Sequence, residues 1–179
     1  MSPKKPQPGA PSDAPEPAST IDELIAVART LEADFPGPRS VIPTRHLAIV
    51  ACMDSRLDLF RIFGLHAGDA HVIRNAGGIA TDDVLRSLVL SQRFMQTREI
   101  VLLHHTNCGL QQMTEDEFRE YIAREVGEEP PYEFGAFSDP EDSIRRSIAR
   151  IKSHPFLAHR THVRGFVYNV ETGTTKEVS

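Results

Sequence analysis

Short runs of Ile, Val, Leu and Ala alternate along this chain with stretches whose apolar residues recur at helical spacing, and that alternation is its strongest constraint on fold. An apolar run bounded by polar residues reads as a buried strand, whose side chains point alternately to opposite faces. Leu47-Ala48-Ile49-Val50-Ala51 and Ile100-Val101-Leu102-Leu103 are such runs. Strands are expected at about 46–53, 70–75, 99–104 and 162–170, and the turn Glu171-Thr172-Gly173-Thr174 leads to a short one at 175–178.

The helical stretches carry start and stop signals. Thr20 before Ile21-Asp22-Glu23 resembles a capping box, with Leu24, Ile25, Ala28 and Leu31 as an apolar stripe, so a helix is expected over about 21–34 until Phe35-Pro36-Gly37-Pro38 ends it. A short helical segment holds Leu57, Leu59, Phe60 and Ile62 and closes at Gly64 or Gly68. Thr81-Asp82-Asp83 caps a helix striped by Val84, Leu85, Leu88, Val89 and Phe94. Thr114 opens another that runs to about Val126, and Asp139-Pro140-Glu141 starts a last one with Ile144, Ile148 and Ile151 on its apolar face.

Strands alternating with helices pair in parallel through right-handed crossovers. The expected class is therefore α/β: a mostly parallel sheet of about four strands plus an antiparallel edge strand, with helices on both faces. Ligands of such sheets bind beyond the carboxyl ends of the strands. Residues 1–19, rich in Pro, Ala, Ser and Lys, are expected to be a disordered tail, and residues 20–179 a single domain.

Composition narrows the function classes. A net charge of −5 without a basic stripe argues against a nucleic-acid surface. No apolar stretch approaches the roughly 20 residues that span a bilayer, and no apolar segment follows the N-terminal lysines as a secretory signal would require. The expected setting is a reducing cytoplasm, where the two cysteines, Cys52 and Cys108, suit metal binding, catalysis or simple burial better than a disulfide.

Each cysteine follows an apolar run, in Cys52-Met53-Asp54-Ser55-Arg56 and in His105-Thr106-Asn107-Cys108-Gly109. Two thiolates and an imidazole suit zinc and leave a fourth position open. The same residues also read as two buried thiols and a hydrogen-bonded core histidine; the close spacing of a thioredoxin-like redox pair is missing. Asp54 and Arg56 can form a bidentate ion pair at a strand-end turn, or be a capping aspartate beside a solvated arginine. Beside zinc, the carboxylate could accept a hydrogen bond from a bound water, which loses its proton near neutral pH, or could itself close the metal as fourth ligand.

Taken together, Cys-x-Asp-x-Arg at 52–56, His-x-x-Cys at 105–108 and the intervening His71-Val72-Ile73-Arg74-Asn75-Ala76-Gly77-Gly78 resemble the β-class carbonic anhydrases. The resemblance covers about 46–127 strongly and the rest more loosely. It is closest to the short actinobacterial-type members, in stretches such as Asp82-Asp83-Val84 and Thr97-Arg98-Glu99-Ile100.

The resemblance implies Cys52, His105 and Cys108 as zinc ligands, Asp54 and Arg56 as the catalytic dyad, and Ala76, Gly77 and Gly109 along the substrate pocket. It implies reversible hydration of carbon dioxide to bicarbonate and a proton, and a homodimer, often assembled further, with a tetramer as one such assembly; charge and apolar run length give the expectation of no nucleic-acid or membrane partner. In some members the aspartate swings onto zinc and shuts the site unless the arginine holds it.

Two features of the family lack counterparts. No glutamine in the N-terminal helix matches the one that larger members supply from the partner subunit, and no tryptophan is present for an inhibitory bicarbonate site. The proton shuttle is unassigned among His66, His71 and His104, the last of which should point away from His105. Hydrolysis of carbon disulfide or carbonyl sulfide at the same zinc site, and a non-catalytic zinc module closed by Asp54, stand as alternatives.

Overall fold

A computed structural model describes residues 19–178, so the expected tail lies almost wholly outside the described residues. Contacts divide the chain into two units, residues 1–38 and 39–179. In the first, helix α1 (Thr20–Leu31) is followed by a 3-10 turn at Glu32–Asp34. Ser19, not Thr20, occupies the N-cap and makes no side-chain capping bond, so the capping box expected there does not form. No residue of α1 is buried, and Ile21, Leu24, Val27 and Leu31 are exposed.

The second unit holds β1 (Leu47–Cys52), α2 (Leu59–Phe63), β2 (Ala70–Asn75), α3 (Asp82–Met95), β3 (Glu99–His105), α4 (Glu115–Val126), α5 (Pro140–Ser153), β4 (Val163–Tyr168) and β5 (Thr175–Val178). Local chemistry sets most of these ends. Asp58 caps α2, which stops at the left-handed Gly64. Thr81 caps α3, Thr114 and Glu117 form a reciprocal capping box on α4, and Asp139 precedes Pro140 at the first position of α5.

The sheet runs β2-β1-β3-β4-β5, parallel except for the β4–β5 pair, as the alternating pattern predicts. Chain order reverses at β1, which has β2 on one side and β3 on the other. That is the topological switch point, where diverging connections leave a crevice at the carboxyl ends of the strands.

Alternation within the central strands splits the core in two. Ala48, Val50, Ile100 and Leu102 pack with Val84, Leu85 and Leu88 of α3 and Ile151 of α5. Ile49, Ala51 and Leu103 face the other way, against Leu57, Leu59, Leu65 and the loop residues Leu110 and Phe137. Both faces of β1 and β3 are thus covered, which explains their nearly unbroken apolar sequence.

Candidate metal centre

Cys52 is the last residue of β1 and His105 the last of β3, and these strands are hydrogen-bonded neighbours. Residues 53 places apart in sequence (105 − 52) therefore end side by side at the switch point. A turn then brings back Cys108, with Asn107 in the left-handed region at φ 56°, a conformation asparagine tolerates better than most residues. The donor atoms of Cys52, His105 and Cys108 lie within 4.8 Å of one another, and all three residues are buried.

The two sulfurs are 3.9 Å apart. His105 donates from Nδ1 to the Thr106 carbonyl at 2.9 Å, which leaves Nε2 as the lone-pair nitrogen. That Nε2 is buried with no hydrogen-bond partner among the described residues. A buried imidazole nitrogen without a partner, facing two thiols, fits a borderline-soft divalent cation such as zinc.

Ionisation of the thiols points the same way. The neighbouring Cys108 thiol draws Cys52 down against the cost of burial, and contact with Cys52 drives Cys108 well above its ordinary range. One thiolate forms readily and makes the second costly, a conflict that a shared cation removes. For His105, burial disfavours the charged ring, but the adjacent Cys52 sulfur, the Thr106 carbonyl and the Asp54 carboxylate outweigh it and raise the pKa.

The chain leaves the strand conformation after Cys52, so Asp54 and Arg56 meet across a turn. Arg56 donates from its backbone N–H to Asp54 Oδ1 at 2.9 Å, from Nε to the same oxygen at 2.8 Å and from Nη2 to Oδ2 at 2.6 Å. The guanidinium also reaches the Asn107 carbonyl at 2.9 Å, tying the two motifs together. These bonds, chiefly the side-chain ones, hold the Asp54 carboxyl well below the usual carboxylate range. Its Oδ2 lies 3.7 Å from His105 Nε2, at the edge of the donor cluster.

Ala76–Gly78 forms a tight 3-10 turn at the end of β2. Gly78, at φ 70°, lies so close to the end of β1 that a Cβ would stand 2.6 Å from the Cys52 nitrogen. Gly77 is packed against Leu110 and Phe137, whereas a Cβ on Gly109 would point into open space. His104 points away from the cluster as expected, bonding Ser143 Oγ at 3.1 Å, and burial pushes its pKa down to about 4. His66 is exposed, pairing with Asp69 at 3.7 Å, and His71 bonds Ser91 Oγ at 2.7 Å.

Arg74 was not singled out from the sequence. It donates from Nε to the Cys52 carbonyl at 2.9 Å and from Nη2 to the Asp54 carbonyl at 2.6 Å, clamping the turn between ligand and dyad. Its only signal in the sequence is a cation just before the last residue of an apolar strand.

Comparison with known proteins agrees with this geometry. The family model described as "Carbonic anhydrase" matches residues 47–175. The chain is 46% identical over 161 residues to beta-carbonic anhydrase 1 of Mycobacterium tuberculosis, covering 90% of this chain and 99% of that one. It is 33% identical to a carbon disulfide hydrolase of Saccharolobus solfataricus, over 72% of this chain and 74% of that protein. A crystal structure of carbonic anhydrase from Streptococcus mutans superposes with a TM-score of 0.86 at 40% identity, covering 92% of this chain and all of that one. Matched through most of its length in both sequence and fold, the chain belongs to the β-class carbonic anhydrases.

Proposed function

We propose that the chain catalyses the reversible hydration of carbon dioxide to bicarbonate and a proton, with zinc held by Cys52, His105 and Cys108. The observation that carries this reading is the bidentate Asp54–Arg56 pair, which turns the carboxylate onto the guanidinium while keeping one oxygen at the edge of the donor cluster. A purely structural metal site has no need of an arginine to restrain its nearest carboxylate.

Zinc supplies a Lewis acid that brings the pKa of a water near neutrality. The protein's part is orientation. Asp54, kept ionised by Arg56, can only accept a hydrogen bond, so it fixes the direction in which the nucleophile's proton points and hence which lone pair faces substrate. Through the Asn107 carbonyl, Arg56 also holds the His105–Cys108 turn against the dyad. Ala76, Gly77 and the open side of Gly109 border the space offered to a small linear substrate.

We further infer a cytoplasmic homodimer, with tetramers as a higher assembly, built from one catalytic domain over residues 20–179. No described helix is long and apolar enough to cross a membrane.

Stopped-flow hydration of carbon dioxide by zinc-replete protein, with carbonyl sulfide and carbon disulfide as competing substrates, tests the assignment. Rapid carbon dioxide turnover is expected. Turnover of the sulfur substrates alone would reassign the site to the hydrolase chemistry named for the relatives at about one-third identity. Slow turnover of all three with zinc bound would mean that Asp54 closes the metal.

A further inference from the structure

Glu115 stands in the first turn of α4, outside the cluster just described, yet its carboxylate makes an unusual set of bonds. Oε1 accepts from the Phe134 N–H at 2.7 Å, and Oε2 accepts from Gly135 at 2.9 Å and Ala136 at 3.0 Å. Three consecutive backbone donors on one carboxylate fix the path of the 134–136 segment. Hydrogen bonds from backbone N–H to an ionised acceptor are among the stronger ones in a protein.

That segment leads directly to the metal-ligand turn. Phe137, the next residue, is buried against Gly77 and Leu110 and donates its N–H to the Leu110 carbonyl at 3.2 Å. The Ser138 carbonyl accepts from Gln111 Nε2 at 3.2 Å, and the other end of the same amide, Oε1, accepts from the Cys108 N–H at 3.1 Å. One side chain therefore bridges the backbone of Cys108 to a strap that Glu115 holds in place. If the strap is released, Gln111 loses its Ser138 anchor, and the amide that accepts from the Cys108 N–H is free to turn.

We propose that Glu115 is a positioning residue for the metal centre, acting through the 134–138 strap and Gln111 to set the approach of the Cys108 sulfur. The proposal rests on the reading of Cys108 as a metal ligand. It predicts that changes about the strap register at the metal, not only in global stability. Glu115→Gln keeps the size of the side chain but presents an NH2 to backbone donors, and Glu115→Asp is too short to reach all three.

Cobalt(II)-substituted protein provides the readout, because a thiolate-to-cobalt charge-transfer band reports sulfur ligation directly. Glu115→Gln and Gln111→Ala are each expected to shift that band and speed metal release to a chelator by about tenfold, the low end for loss of an outer partner of a ligand. Glu115→Asp should fall between Gln and the parent. The double variant should release metal little faster than either single one, since both cut the same chain of bonds. A lowered melting temperature with the band and release rate unchanged would overturn the proposal, and Glu115→Asp decides it if Glu115→Gln does not fold. A parent protein without the band would instead overturn the ligand reading, and the positioning role with it.

Discussion

Arg56 holds Asp54 by two parallel side-chain hydrogen bonds, Nε to Oδ1 at 2.8 Å and Nη2 to Oδ2 at 2.6 Å, while a third from its own backbone N–H closes the turn between them. The carboxylate is thereby turned toward the arginine even though its outer oxygen is 3.7 Å from the imidazole nitrogen that faces the metal position. In the proposed mechanism the pair sets what the fourth position at the metal can be.

Arg56→Ala should release Asp54 toward the metal and cut carbon dioxide turnover by about 10- to 100-fold. A crystal structure of the zinc-loaded variant is expected to show the aspartate on the metal; an aspartate still turned away would contradict the restraint. Asp54→Asn should keep zinc and lower turnover on the order of 100-fold, the usual scale for losing a group that manages a proton in the transition state.

Cys52→Ala and Cys108→Ala should each lose zinc on dialysis against a chelator. Removing an outer hydrogen-bond partner of a ligand already costs about 10- to 100-fold in metal affinity, and removing the ligand costs more. Full zinc stoichiometry in either variant, measured by elemental analysis, would refute the ligand assignment.

Gly78→Ala should destabilise the fold by about 3 kcal/mol in denaturant titrations, from a left-handed backbone and a Cβ pressed into the Cys52 peptide. The neighbouring backbone cannot swing aside as a flexible side chain could. A midpoint within error of the parent would show that the strand end yields.

Burial works against the charge of Glu115, and the N–H groups of Ala136, Phe134 and Gly135 outweigh it, lowering its pKa. The folded state binds this proton more weakly than the unfolded chain, so the clasp stabilises the fold above the ordinary glutamate range. That contribution is lost as pH falls through the folded-state pKa. Urea midpoints of the parent and Glu115→Gln should differ at neutral pH, begin to approach each other only below about pH 4, the unperturbed glutamate range, and converge as pH passes the lower folded-state value. A gap that does not shrink at all as pH falls below the ordinary glutamate range would rule out the carboxylate as its source.

Much of the architecture was written in local pattern. Apolar runs located the strands and the 3.6 period the helices, residues such as Thr81, Thr114 and Pro140 marked starts, and alternation placed His104 and His105 on opposite faces. The metal donors were visible as two polar clusters at strand ends, but their convergence depends on strand order, and periodicity alone does not say that β1 and β3 are neighbours. Thr20 misled because its capping pattern is short and Ser19 sits one residue earlier. The bonds of Arg74, Gln111 and Glu115 are not legible in the sequence for a physical reason: their partners are backbone groups, mostly of distant segments, and every residue has those.

The tandem His104-His105 gives the β1–β3 pairing a chemical signature. Sliding β3 by one residue along β1 would swing His105 toward α5 and offer His104 to Cys52 instead, while the turn that carries Cys108 shifts by about 3.3 Å. A chain misfolded in this way would still own two thiols and an imidazole, but not at bonding distance from one ion. With Cys52, His105 and Cys108 as the proposed ligands, metal uptake would double as proofreading: zinc would favour the single alignment of two strands in which the right one of two adjacent histidines has turned inward.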